Sequence, residues 1–311
     1  MEEQYNYEIN NYNEEQAKRY ELISKIQQNT VTYSYSWLKE MLNSPYHFIE
    51  KKLKRTEKTE SMLFGSLTDL LITEPDNLNE KFSIVSKVPT TDQQKDFCNY
   101  ILNGYSVDES YKLSYKSGNS DKIYKELKPY LDSLLENKDV ISDKMLQEAT
   151  EVKNRLLKSK SISLLIDSAN LFQQKNTIEY EGYKIKLITD MEGIGLKLDL
   201  KLMSKLNPSY IDKEIFKMHY DLQGAIYTLE NKDSFFNICY DRKGNSLIAE
   251  YDDSVLRYGK DKLDYILNCI YKCCENPSLF AESYNFHDIY NEKLGIKTKR
   301  IYKPTYLKSY R

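Results

Sequence analysis

Residues 184–203, KIKLITDMEGIGLKLDLKLM, decide the fold. They read as two short strands joined by a turn at Gly193 and Gly195. In the second strand Leu196, Leu198, Leu200 and Leu202 alternate with Lys197, Asp199, Lys201 and Met203. Successive strand side chains point to opposite faces, so the spacing predicts a buried leucine face and an opposite face shared by Asp199 and Lys201. Asp190 on the first strand joins them. Two carboxylates and an ammonium are the parts that metal-assisted phosphodiester hydrolysis needs. The carboxylates hold a hard cation through oxygen, and the lysine orients or stabilises an attacking hydroxide.

The next informative segment is downstream, in YDLQGAIY at 220–227. Gln223 and Tyr227 are four apart and so lie on one face of a helix read over 208–229. A strand–helix unit returns that face to the strand end, and both side chains are of a type that bonds a DNA phosphate or a water. His219, one turn before Gln223, is near enough to reach the same place or to lie on the helix surface.

Working outward, the chain reads as one α/β domain spanning 1–311. Helices are expected at 14–27, from a cap at Ser36, from Pro45 to Arg55, and over 60–73. A short strand is expected at 82–88. The span 90–160 reads as a helical insertion broken at Gly104, Gly118 and Pro129, with Thr91 and Gln94 as a capping box at its start. Hairpins are expected around Glu181-Gly182 and around residues 242–245, followed by a helix over 254–274. Residues 278–311 form an irregular basic tail.

Composition sets the limits. The chain has 311 residues, 40% hydrophobic and 30% charged, with a formal net charge of −2. That is enough for a substantial core, and no apolar run approaches a membrane span. The acidic, polar start is unlike a secretory signal, so the expected location is cytoplasmic. The five cysteines are too sparse and irregular for a disulfide framework. There is no phosphate-binding glycine loop, hence no ATP is expected. Near-neutral charge still permits local basic patches. One is Lys51, Lys52, Lys54, Arg55 and Lys58. The other is the tail from Lys297 through Lys299 and Arg300 to Arg311, interleaved with Tyr302, Tyr306 and Tyr310. Each reads either as a DNA contact or as solvated chain.

In these motifs the sequence resembles the PD-(D/E)xK nucleases, specifically the RecB-like branch that includes phage exonucleases of the lambda and RecE type. Asp190 matches the first Asp, with Thr189 where Pro often stands. Asp199-Leu200-Lys201 matches the central element and Gln223 to Tyr227 the helical one. Gly65 to Asp69 matches the upstream Gly-x-x-x-His element, with Asp69 in place of His, and residues 34–48 resemble the branch's N-terminal signature. The likeness runs over roughly 34–277.

The resemblance implies a central mixed sheet flanked by helices and a Mg²⁺- or Mn²⁺-dependent deoxyribonuclease, with an exonuclease preferred to an endonuclease. It implies Asp190, Asp199, the Leu200 carbonyl and Asp69 as metal ligands, Lys201 positioning water, and Gln223 with Tyr227 steadying the scissile strand. It also implies phage origin, 5′→3′ resection of duplex ends feeding a single-strand annealing protein, and a homo-oligomeric ring around DNA. Two other readings stay open, an impaired nuclease-fold adaptor and a structure-specific endonuclease. Some relatives carry an iron–sulfur cluster. Ser44 replaces its first cysteine here, and Cys269, Cys273 and Cys274 lack its spacing, so none is expected.

Overall fold

The computed structural model describes residues 2–281 and 283, apart from 55–57, 117–118, 135 and 137. The chain opens with α1 (Glu2–Gln27), β1 (Thr32–Ser34), α2 (Tyr35–Leu38), a 3-10 turn, and α3 (Pro45–Leu53). Then come α4 (Glu60–Thr73), α5 (Leu78–Lys81), β2 (Phe82–Val85), α6 (Asp92–Leu102), α7 (Val107–Ser114), α8 (Ser120–Leu134), β3 (Asp139–Ser142) and α9 (Asp143–Lys158). The second half holds α10 (Lys160–Asp167), β4 (Ala169–Tyr180), β5 (Tyr183–Gly193), β6 (Leu196–Leu202), α11 (Pro208–Lys217), α12 (Tyr220–Tyr227), β7 (Ser234–Tyr240), β8 (Ser246–Glu250) and α13 (Asp253–Glu275). Among the described residues no helix is long and apolar enough to cross a membrane.

A six-stranded mixed sheet runs in the order β1-β5-β6-β7-β8, with β4 antiparallel to β5. β5 and β6 are antiparallel, while β6 and β7 are parallel through the crossover made by α11 and α12. One face packs against α1, α2, α3, α12 and α13 through Ile26, Trp37, Phe48, Leu222, Ile226, Ile266 and Ile270. The other packs against α4, α9 and α10, where Leu198 and Leu200 meet Phe64, Leu67, Val152 and Ile162. The leucine face is thus buried as expected. The opposite face of β6 is covered too. Asp199 is 3% and Lys197 5% exposed, because a central strand with helices on both sides has no open face.

Local chemistry fixes the helix starts. Thr59 caps α4 through the Met62 N–H, Ser142 caps α9, and Asp252 accepts from Ser254 and Val255 at the start of α13. Thr91 and Gln94 form the expected capping box. Ser36 is not the cap of α2. That position falls to Ser34, which makes no side-chain cap bond, and the working cap nearby is Ser44, which accepts from the His47 N–H at the start of α3. Pro129 lies inside α8 rather than breaking it, and Gly118 is outside the described residues. The hairpin turn at Glu181-Gly182 has φ of 49° and 80°, the primed geometry that suits strand twist.

Two further expectations need correction. The span 90–160 is not wholly helical, since β3 pairs in parallel with β2. Only α6 to α8 share a separate small core of Phe97, Cys98, Leu127 and Leu131, whereas α9 belongs to the main body. The single helix read over 208–229 is two, separated at His219, whose φ of 60° is left-handed. No glycine or proline marks that break.

Candidate active site

The site grows out of one strand facing one helix. Lys197, Asp199 and Lys201 alternate along β6 on the side away from the leucines, and α12 lies across them. Lys197 Nζ donates to the Tyr227 carbonyl at 2.7 Å. Gln223 Nε2 donates to Asp199 Oδ1 at 2.8 Å. The ammonium of Lys201 stands 4.7 Å from the centre of the Tyr220 ring. Strand steps of two residues are therefore met by helix steps of three or four, with the helix running opposite to the strand. Gly224 lets α12 approach this closely, since a Cβ there would come within 2.8 Å of Phe235 on β7.

Asp199 lies between two partners. Its Oδ1 takes the Gln223 amide and its Oδ2 pairs with Lys201. Asp190 enters from β5 at the point where β5 and β6 separate. Its Oδ2 accepts the Leu200 N–H at 3.0 Å and its Oδ1 accepts Gln173 Nε2 at 3.1 Å. Asp69 comes from the middle of α4, on the opposite side of the sheet from α12, and takes a hydrogen bond from the Tyr240 hydroxyl at 3.1 Å. A cleft of about 600 Å³ opens from Asp69 and Asp190 past Thr73, Gln173, Lys58 and Lys81.

The electrostatics tie the three acids together. Burial first, then the charge of Asp199, push the Asp190 carboxyl up to about 7, against the pull of Lys201. Burial, then Asp190 and Asp199, hold Asp69 well above the usual carboxylate range. Burial works against the charged form of Lys201, but Asp199, Tyr220 and Asp190 outweigh it and keep the ammonium well above its ordinary value.

The residues named from sequence separate into three groups. Asp69, Asp190, Asp199, Lys201, Gln223 and Tyr227 converge. Gln223 and Tyr227 do so from within, however. Gln223 is 5% and Tyr227 6% exposed, and the Tyr227 hydroxyl accepts from Gln223 and donates to the Ile188 carbonyl at 2.7 Å. Their polar groups are turned to Asp199 and β5, where a DNA strand or water was expected. The Leu200 N–H binds Asp190. His219 faces Lys262, with Nδ1 3.3 Å from its Nζ, and burial followed by the charges of Lys262 and Lys39 push its imidazole down to about 4.

The basic patch is the second group. Lys51 and Lys52 lie in the last turn of α3, Lys52 over the Trp37 ring. Lys54 pairs with Glu50 at 2.6 Å, and Lys58 pairs with Asp139 on the rim of the cleft. Third, Arg55, Lys297, Lys299 and Arg300 lie outside the described residues. Cys269 and Cys273 are buried in the core. Gln173 carries no mark in the sequence, since nothing about a glutamine early in a strand distinguishes it.

The donors suit a divalent ion of the Mg²⁺ class. All three are hard carboxylates, and their mutual repulsion is what a cation would relieve. Among the described residues no three Asp, Glu, His or Cys side chains form a ready-made metal cage. Mg²⁺ rarely uses one, taking one or two carboxylates and completing its shell with water and substrate phosphate. The residues present fit such an ion.

This arrangement is matched by known proteins at the level of fold. Residues 34–236 match the model of a family described as a PDDEXK-like domain of unknown function, DUF3799. The chain belongs to that family. A crystal structure of a protein from Eubacterium rectale, provisionally named an exonuclease, is similar at 15% identity with a TM-score of 0.50, covering 92% of this chain and 96% of that one. The structure of LHK-Exo in complex with dAMP matches at 13% identity and a TM-score of 0.26, over 65% of this chain and 99% of that one. No curated protein matches. The family match, with the structural match at a TM-score of 0.50, gives the fold of the PD-(D/E)xK nucleases, a central mixed sheet flanked by helices.

Proposed function

We propose that the chain is a Mg²⁺- or Mn²⁺-dependent deoxyribonuclease that hydrolyses phosphodiester bonds from the ends of duplex DNA. The observation that carries the reading is the placing of Asp190 and Asp199 on adjoining strands, with Lys201 paired to Asp199 and with Asp69 on the same cleft as Asp190. Asp190, Asp199 and the Leu200 carbonyl would hold the ion, with Asp69 as a further ligand. When bound, the ion supplies Lewis-acid activation of water and neutralises charge on the phosphate.

The protein's own residues supply the rest. The Lys201 ammonium, kept protonated by its carboxylate neighbours, orients the attacking water and stabilises the negative charge that gathers on the phosphoryl oxygens. Gln223 and Tyr227 act through Asp199, holding its oxygen in place. Leu200 and Gln173 do the same for Asp190. Lys51 and Lys52 on α3, and the tail lysines, receive the phosphate backbone. Action from ends, phage origin, an annealing partner and a ring-shaped homo-oligomer rest on the family resemblance alone, and a cytoplasmic setting on the polar, acidic start of the sequence.

The test offers linear and covalently closed circular duplex DNA to the purified protein with Mg²⁺ or Mn²⁺. Loss of the linear form with the circle intact supports the reading. Cleavage of the circle supports a structure-specific endonuclease instead. No cleavage of either, with DNA still bound, supports an adaptor that has lost the chemistry.

A further inference from the structure

Gln173 has a backbone φ of 49°, a region that side chains other than Asn, Asp and His seldom enter. The other described non-glycine residues with positive φ, Asn29, Glu181 and His219, sit at a helix end, a hairpin turn and a helix break. Gln173 is inside β4. The pairing of Phe172 with Met191 and of Gln174 with Thr189 places it directly opposite Asp190. The register of β4 shifts once, between Ala169 and Leu171, and Gln173 lies beyond that shift, so strain there points to a demand on its own side chain.

The Gln173 side chain answers that demand. Its Nε2 donates to Asp190 Oδ1 at 3.1 Å and lies 3.4 Å from Thr73 Oγ1. Thr73 is one turn beyond Asp69 on α4 and donates its hydroxyl to the Asp69 carbonyl at 2.8 Å. The amide therefore bridges the strand carrying one carboxylate and the helix carrying another. It does so without adding charge, which Glu or Asp at this position would. With the Leu200 N–H on Oδ2, it fixes both oxygens of Asp190.

We propose that Gln173 is a positioning residue for the divalent-ion site, holding Asp190 in place relative to Asp69 so that both face one cation. This rests on the reading above that those carboxylates bind an ion, and it adds a residue outside the motifs that suggested them.

The experiment is calorimetric titration of the metal-free full chain with Mn²⁺, without DNA, beside thermal melting in chelator. Gln173→Gly removes the amide and accepts the left-handed backbone without penalty, so it should melt at or above the wild-type temperature. Its Mn²⁺ affinity should fall about tenfold or more, the usual effect of losing a partner of a ligand. Gln173→Asn, which also tolerates positive φ but withdraws the amide by one methylene, should lose affinity by a smaller factor. Wild-type affinity in both variants overturns the proposal. So does a Gln173→Gly chain that melts well below wild type, which would mark the residue as structural, and so does a wild-type chain that takes up no Mn²⁺. Wild-type protein that binds Mn²⁺ but leaves DNA uncut refutes the nuclease reading and leaves this inference to its own result.

Discussion

Gln223 donates from Nε2 to Asp199 Oδ1 across 2.8 Å, with both residues more than nine-tenths buried. A neutral amide thus holds one oxygen of a carboxylate whose other oxygen is held by Lys201. The helical motif and the strand motif are one unit. It follows that Gln223 serves the site by aiming Asp199, so Gln223→Ala should cut the cleavage rate roughly 10–100-fold. The rate lost should be partly restored by raising Mn²⁺. Steady-state rates across a Mn²⁺ series check this, and a loss seen wholly in the KM for DNA would contradict it.

The acid triad predicts an inverted pH dependence for the metal-free protein. Asp190 titrates near 7 in the folded chain, against roughly 3.9 when unfolded. Between those values the folded state binds more protons than the unfolded one, so stability falls as pH rises and levels off above about 7. In chelator, melting should be higher at pH 5 than at pH 8 as far as this site contributes, with a difference on the order of 2 kcal/mol. Asp190→Asn should flatten the slope and stabilise the chain at pH 8. Saturating Mg²⁺ should remove much of the difference for the wild type, since an ion at about 100 times its Kd adds about 2.7 kcal/mol. Melting that rises steadily from pH 5 to 8 in chelator, unchanged by Asp190→Asn, would contradict it.

Gly224 makes a stability prediction with a functional signature. A Cβ there would lie 2.8 Å from Phe235 Cδ1 and 3.2 Å from Leu256 Cδ2, so α12 must move off β7. Gly224→Ala should cost about 1–3 kcal/mol by overpacking. It should also reduce activity more than Ala substitutions on exposed helices, because α12 carries Gln223. Chemical denaturation beside cleavage assays measures both. Wild-type activity in a destabilised Gly224→Ala protein would show that the position of α12 is not critical.

Much of this site was legible because two of its parts follow simple periods. The two-residue repeat of 196–203 placed Asp199 opposite the leucines, and the four-residue spacing put Gln223 and Tyr227 on one helical face. The buried state of that strand face was not legible, since alternation alone says nothing of a second helical layer. Lys197 looks in sequence like one more alternating lysine, yet it anchors the end of α12. The bond between Tyr240 and Asp69 joins residues 171 apart, a pairing only the sheet order can create. Gln173 was hidden for a related reason, because its role comes from lying opposite Asp190 and from a backbone twist with no sequence mark. The break at His219 had no glycine or proline to signal it.

In the proposed nuclease Asp190, Asp199 and Lys201 act together on DNA. Single-turnover digestion of end-labelled linear duplex, with wild type and Lys201→Ala at saturating Mn²⁺ and with folding verified by circular dichroism, tests this most directly. Metal-dependent loss of the duplex is expected from the wild type, with a rate lower by about 10²–10³ or more in Lys201→Ala. Equal rates for the two proteins, or a wild type inert at every Mg²⁺ and Mn²⁺ concentration, would contradict it.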